Sequence, residues 1–161
     1  MSKKARKARQ AKPSKELQAI WDKVPEMEDC KGMCQSSCGP IPVYTPERKL
    51  IEGRTGKPLT TVKNGTTCSM LTAAGVCSVY GIRPLICRIW GAVKDNENAR
   101  CPYGCKPKRW LTNEEAMALF AELEALTGDD DGRKALREVG RRMDPATRAA
   151  VEIKAGKSFG V

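Results

Sequence analysis

The stretch Cys68 to Gly91 reads CSMLTAAGVCSVYGIRPLICRIWG, with cysteines at 68, 77 and 87 set in semi-apolar text. Taken alone, the three suit either of two roles, small buried hydrophobes or soft metal ligands. The rest of the chain tips the balance. Cys30, Cys34 and Cys38 form an upstream trio and Cys101 and Cys105 a downstream pair, which brings the count to eight. Eight is two sets of four, and both a structural zinc ion and a cubane iron–sulfur cluster take four thiolates. One site with spare thiols and two separate sites are both open. Histidine is absent. A mixed Cys–His finger, a histidine-based catalytic zinc site and a Rieske centre are therefore excluded.

Spacing does not choose the metal. The tightest repeats are C-x3-C, whereas zinc knuckles use two to four intervening residues and ferredoxin runs use two or four. Thiolates suit zinc and iron–sulfur chemistry alike. From Cys30 to Pro40 the text CKGMCQSSCGP mixes cysteine with glycine, serine and proline, which predicts turns around a ligand. In the helical alternative the four-residue recurrence of Cys30, Cys34 and Cys38 places all three on one face. The thiols converge in either geometry.

Within 68–91 the order of elements resembles the YkgJ-type cysteine-cluster family, described as zinc- or iron-chelating. That family carries an early cysteine cluster, then C-x-hydrophobic-Leu, C-x-hydrophobic-Tyr, Arg-Pro and Cys-Arg. Here Cys68, Met70 and Leu71 match the first of these later elements, Cys77, Val79 and Tyr80 the second, and Arg83, Pro84, Cys87 and Arg88 the last. The chain departs at Gly39, where the family often has a second adjacent cysteine; Cys101 and Cys105 either replace that ligand or serve another site. The resemblance implies metal chelation, by zinc or a [4Fe–4S] cluster, and names no process. Some larger proteins similar to the family use the cysteine domain in methyl transfer to protein lysines. An enzyme such as a protein methyltransferase is thus a minority reading here, because no Gly-rich phosphate loop, histidine base or Ser–His–Asp set accompanies the cysteines.

The neighbours have physical roles to fill. Pro84 suits the first turn of a short helix carrying Cys87. Arg83 and Arg88 are placed to offset the negative charge of a thiolate cluster, against the plain alternative of solvated or surface-paired arginines. Tyr80 and Trp90 read as packing around the site.

Of 161 residues, 40% are apolar, with three Trp, three Tyr and two Phe. That is a lean core for one domain, so stability is expected to lean on metal. The formal charge is +10, and Lys3, Lys4, Arg6, Lys7, Arg9, Lys12 and Lys15 all precede the first acid, Glu16. A basic arm of this kind suggests salt-sensitive nucleic-acid binding through residues 1–15 as an alternative function, with a solvated tail as the plain reading. No run reaches the ~18 apolar residues of a membrane span, and the basic start lacks an apolar signal segment. A cytoplasmic location with no membrane partner is the expectation, and in that reducing compartment clustered cysteines favour metal over disulfides.

The expected fold is a small irregular α+β domain stapled by metal, mainly short helices with one hairpin, plus an α-helical C-terminal region. Its divisions are a flexible basic arm (1–13), the cysteine-cluster domain (14–110), a helical cap (111–156) and a tail (157–161). Ser14 caps a helix with Leu17, Ile20, Trp21 and Val24 on one face, closed by Pro25. Thr45-Pro46 opens another that ends at Gly53 or Gly56. Lys63-Asn64-Gly65 suggests a type I′ hairpin between 59–62 and 66–68. Thr112 and Glu115 form a capping box before a stripe of Ala116, Leu119, Phe120 and Leu123, with Gly128 as the stop. Two further helices are expected, one through Leu136, Val139 and Met143 and one from Asp144-Pro145 to Ile153.

Overall fold

Ser14 starts the first helix as its sequence predicts. In the computed structural model, which describes residues 11–30, 38–39, 41–56, 58–59, 67–95, 100–101 and 103–128, its Oγ accepts the Leu17 N–H at 3.2 Å. Helix α1 (Lys15–Trp21) buries Leu17, Ile20 and Trp21. Val24 lies past the helix end but still packs against the same core.

The chain then forms a two-residue strand, β1 (Met27–Glu28). Its partner is distant: β2 (Lys106–Pro107) pairs antiparallel, Met27 with Pro107 and Glu28 with Lys106. This pairing brings Cys30 and Cys105 to the same end of the ladder, where the Cys105 thiol donates to the Asp29 carbonyl at 3.4 Å. Gly91 sits under the ladder with φ +87°, and a Cβ there would lie 3.2 Å from the Met27 methyl and 3.4 Å from the Cys101 Cβ. Only glycine meets both demands.

Helix α2 (Thr45–Thr55) ends at Gly56 in the left-handed conformation, one of the two stops expected. The N-cap is Tyr44, one residue earlier than expected, and it supplies no side-chain cap. Tyr44 instead stacks on Phe120 (6.3 Å between centroids) and donates its hydroxyl to Glu124 at 3.0 Å.

The 68–91 stretch folds in three steps. The Leu71–Cys77 bridge, with Ser78 N–H donating to the Met70 carbonyl, closes a loop that brings Cys68 and Cys77 together. A 3-10 turn follows at Tyr80–Ile82, and then the short helix α3 (Leu85–Ile89), on which Cys87 rides. Pro84 is the N-cap of α3 and not its first helical residue. Helix α4 (Asn113–Thr127) carries the predicted capping box, buries Ala116, Leu119 and Leu123, and packs against α1.

Two hydrophobic clusters result. The larger joins α1, α3 and α4 through Leu17, Trp21, Leu85, Ile89, Leu119 and Leu123. The smaller gathers Val43, Ile51, Leu59, Met70 and Val79, with Cys68 and Cys77 packed against it. The architecture among the described residues is thus mixed α+β: four short helices and one two-stranded sheet. The hairpin turn at 63–65, both later C-terminal helices, Cys34 and residues 1–10 of the basic arm lie outside the described residues.

Between the clusters lies Glu47, 1% exposed. Its Oε1 accepts the Leu85 N–H at 2.6 Å and the Trp21 indole N–H at 3.2 Å. Its Oε2 is buried with no partner. Burial pushes the carboxyl from its ordinary 4.5 up to about 7, against the pull of these N–H donors and of Arg88. The folded state therefore holds a proton that the unfolded chain has released between these two values. Stability contributed below pH 4.5 is lost as pH rises toward 7, by roughly 3 kcal/mol. Denaturant titrations of wild type and Glu47→Gln across pH 4 to 8 should show the difference between them narrowing over this window, with the variant losing least on the alkaline side. Thr112→Ala removes one of the two capping-box bonds and should cost about 1 kcal/mol in the same assay.

Candidate metal centre

Four cysteines meet in one cavity. The Cys68 N–H donates to the Cys38 carbonyl at 2.8 Å, which ties the end of the upstream trio to the start of the 68–91 stretch. The closed loop then presents Cys77 beside Cys68, and α3 brings Cys87 from the other side. Cys38, Cys68, Cys77 and Cys87 together line a cavity of ≈ 280 Å³. Its far wall is the smaller hydrophobic cluster, Ile51, Leu59, Met70 and Val79, extended by Ile41 and Val43.

The electrostatics confirm the convergence. Burial pushes the Cys87 thiol far up, and Cys68, Cys77 and Cys38 add to the rise while Arg83 opposes it. Cys77 is likewise raised, first by burial, with Cys68 adding and Arg83 opposing. Each thiol thus resists becoming a second thiolate beside the first. A bound cation reverses that penalty, because a coordinated thiol is deprotonated outright.

Among the described residues no three Cys, Asp or Glu side chains are grouped as a bound metal needs. The four sulfurs line the walls, and ligation requires them to draw inward. The donor chemistry nevertheless fits a soft metal: four thiols, no carboxylate or imidazole in the lining, and one guanidinium. Arg83 Nε is buried and has no partner, as a donor awaiting an anionic centre would be.

The two arginines are used differently. Arg83 lines the cavity with its guanidinium carbon 4.0 Å over the Tyr80 ring. Arg88 lies 4.0 Å over Trp21 and donates from Nε to the Arg83 carbonyl (2.9 Å) and from a terminal nitrogen to the Gly81 carbonyl (2.8 Å). It is a brace for the turn that carries Arg83. Tyr80 and Trp90 both line the cavity, but at 44% and 37% exposure they form its rim and are not core residues.

The other described cysteines fall elsewhere. Cys30 is exposed, with its sulfur 3.4 Å from the Tyr80 hydroxyl. Cys105 is buried against Asp29, and Cys101 packs by Gly91. None of these three lines the cavity. Of the C-x3-C series, Cys38 lines the cavity and Cys30 lies against Tyr80 on its rim, while Cys34 is outside the described residues. Sequence reasoning also missed Glu47, which holds the start of the Cys87 helix. A glutamate in the first turn of α2 carries no mark of burial in sequence.

Residues 29–106 match the model of the CxxCxxCC family, whose description is "Putative zinc- or iron-chelating domain". The span runs from just before Cys30 to just after Cys105. The family name spells two-residue spacings and a closing cysteine pair, whereas this chain has three-residue spacings and Gly39 after Cys38. No curated protein and no solved structure matches the chain. The matched span, 29–106, contains all four cysteines that line the cavity, and in it the chain is similar to the CxxCxxCC family.

Proposed function

We propose that the chain is an iron–sulfur protein whose cluster is held by Cys38, Cys68, Cys77 and Cys87. The observation that carries this reading is the size of the cavity these thiols line. A single zinc ion bonded at ~2.3 Å to four sulfurs fills the gap between them and needs little more. The cavity of ≈ 280 Å³ extends from the four cysteines along the apolar wall of Ile41, Val43, Ile51 and Leu59. Space on that scale suits a multi-atom core of iron and sulfide. Its apolar wall supports the same reading, since the hydrophobic shell around a site controls solvent access and redox potential. A bound cluster would supply one-electron chemistry, at a potential set by burial and by hydrogen bonds to its sulfurs.

The protein's own share is to position four thiols on three separate pieces of chain and to shield them. The loop 68–77 and helix α3 set three of the thiols. Tyr80 and Trp90 narrow the opening, and Arg83 sets one positive charge beside Cys77 and Cys87. Cys101 and Cys105 belong, on this reading, to a second set of thiols at the β1–β2 ladder and are dispensable for the cavity.

Protein purified without oxygen or chelator should be brown and contain iron with acid-labile sulfide. Colourless protein with stoichiometric zinc would overturn the cluster in favour of a structural ion. Cys77→Ala and Cys87→Ala should each abolish the colour and the bound iron, whereas Cys101→Ser should keep both. Equal loss in all three variants would refute the assignment of ligands.

A further inference from the structure

Arg83 has a donor with nowhere to go. Its Nε is buried without an acceptor, and a buried, charged donor left unpaired costs at least as much as a neutral one. The side chain is not loose. Its guanidinium is fixed over Tyr80 at 4.0 Å, and its own carbonyl is held by Arg88. The Arg88 donors reach the Arg83 and Gly81 carbonyls, and its plane covers Trp21. Of the two arginines, Arg83 is the one that lines the thiol cavity. Besides Tyr80, the lining it shares holds Cys77 and Cys87, and its charge acts on both. Neither neutral thiol is a good acceptor, whereas a metal-bound thiolate is.

We infer that Arg83 is a positioning residue for the metal centre, its buried Nε–H donating a hydrogen bond to the metal-bound sulfur of Cys77 or Cys87. The inference rests on the reading that this cavity holds a metal. A hydrogen bond to a ligand sulfur disperses negative charge and favours the more negative, reduced state of an iron–sulfur centre. The same bond slows metal loss, and removal of such outer partners costs ~10 to 100-fold in affinity. Lysine keeps the charge of arginine but loses the Nε–H and the planar fork. Charge and hydrogen bond are therefore separable by substitution.

The experiment uses the full chain as wild type, Arg83→Lys, Arg83→Gln and Arg88→Lys, each checked for wild-type circular dichroism. Iron and sulfide content is measured first, then the midpoint potential by dye-mediated titration. Arg83→Lys should retain its iron and titrate at a lower potential, by about 59 mV for a tenfold change in a one-electron couple. Arg83→Gln should fall at least as far, and it carries the test if the lysine variant does not fold. A wild-type potential in a folded Arg83 variant overturns the inference while the cluster stands. An equal shift in Arg88→Lys also overturns it, because a general disturbance of the turn between Gly81 and Arg88, and not loss of the Arg83 donor, would then be the cause. If wild type carries zinc and no sulfide, the cluster reading fails, and the rate of zinc transfer to a chromophoric chelator decides for Arg83. Transfer about tenfold faster from Arg83→Lys supports the hydrogen bond, and an equal rate refutes it. Wild type without any metal removes both readings together.

Discussion

The buried carboxylate of Glu47 is the constraint on which the rest of the described structure hangs. It replaces a cap that Pro84 has no side chain to provide, accepting the Leu85 N–H at the start of α3. It also accepts the indole N–H of Trp21, so helices α1, α2 and α3 meet on one oxygen. Arg88 closes the circuit by covering Trp21 and bonding back to the 3-10 turn. Such a network is costly to bury and holds its members to one arrangement when its donors are matched. Here the arrangement fixes the helix that bears Cys87 and the turn that bears Arg83.

The cavity and the smaller hydrophobic cluster share a wall. Val79, Met70, Ile51 and Leu59 are buried on one side, while Cys68 and Cys77 pack against them from the cavity side. Apolar contacts missing across an open space leave their lining with fewer partners. On the proposed reading, a bound centre would fill that space. With few aromatic residues in the whole chain, this part of the fold has little else to draw on.

Local signals were legible in sequence, and distant ones were not. Ser14 and the Thr112–Glu115 pair announce α1 and α4 because a cap and its helix lie within four residues. The β1–β2 ladder could not be anticipated: two residues pair with two others nearly eighty positions away, and neither piece alternates long enough to show a period. Glu47 reads as an ordinary acid near a helix N-terminus, where charge favours it whether solvated or buried. The cysteines read in sequence as candidate metal ligands by their number and their text, and residues 29–106 match a family described as a "Putative zinc- or iron-chelating domain". Their partition was not legible. The four-residue recurrence sets Cys30, Cys34 and Cys38 together in sequence; Cys38 lines the cavity with Cys68, and Cys30 lies exposed at Tyr80, itself on the cavity rim.

The two arginines of the 68–91 stretch show why residue type alone was not enough to assign roles. Both stand one position from a proline or cysteine of the motif, and both lie over an aromatic ring at the same 4.0 Å. What separates them is where their remaining donors point. Arg88 is committed to backbone carbonyls of the turn and lies among the helices, where burial depresses its pKa. Arg83 keeps its buried Nε unmatched at the thiol cavity. One arginine thus holds the backbone of the other, whose unmatched donor belongs to a side chain lining the same cavity as four cysteines. Neutral thiols are poor acceptors for such a donor, and thiolates, as a bound cation would make them, are good ones.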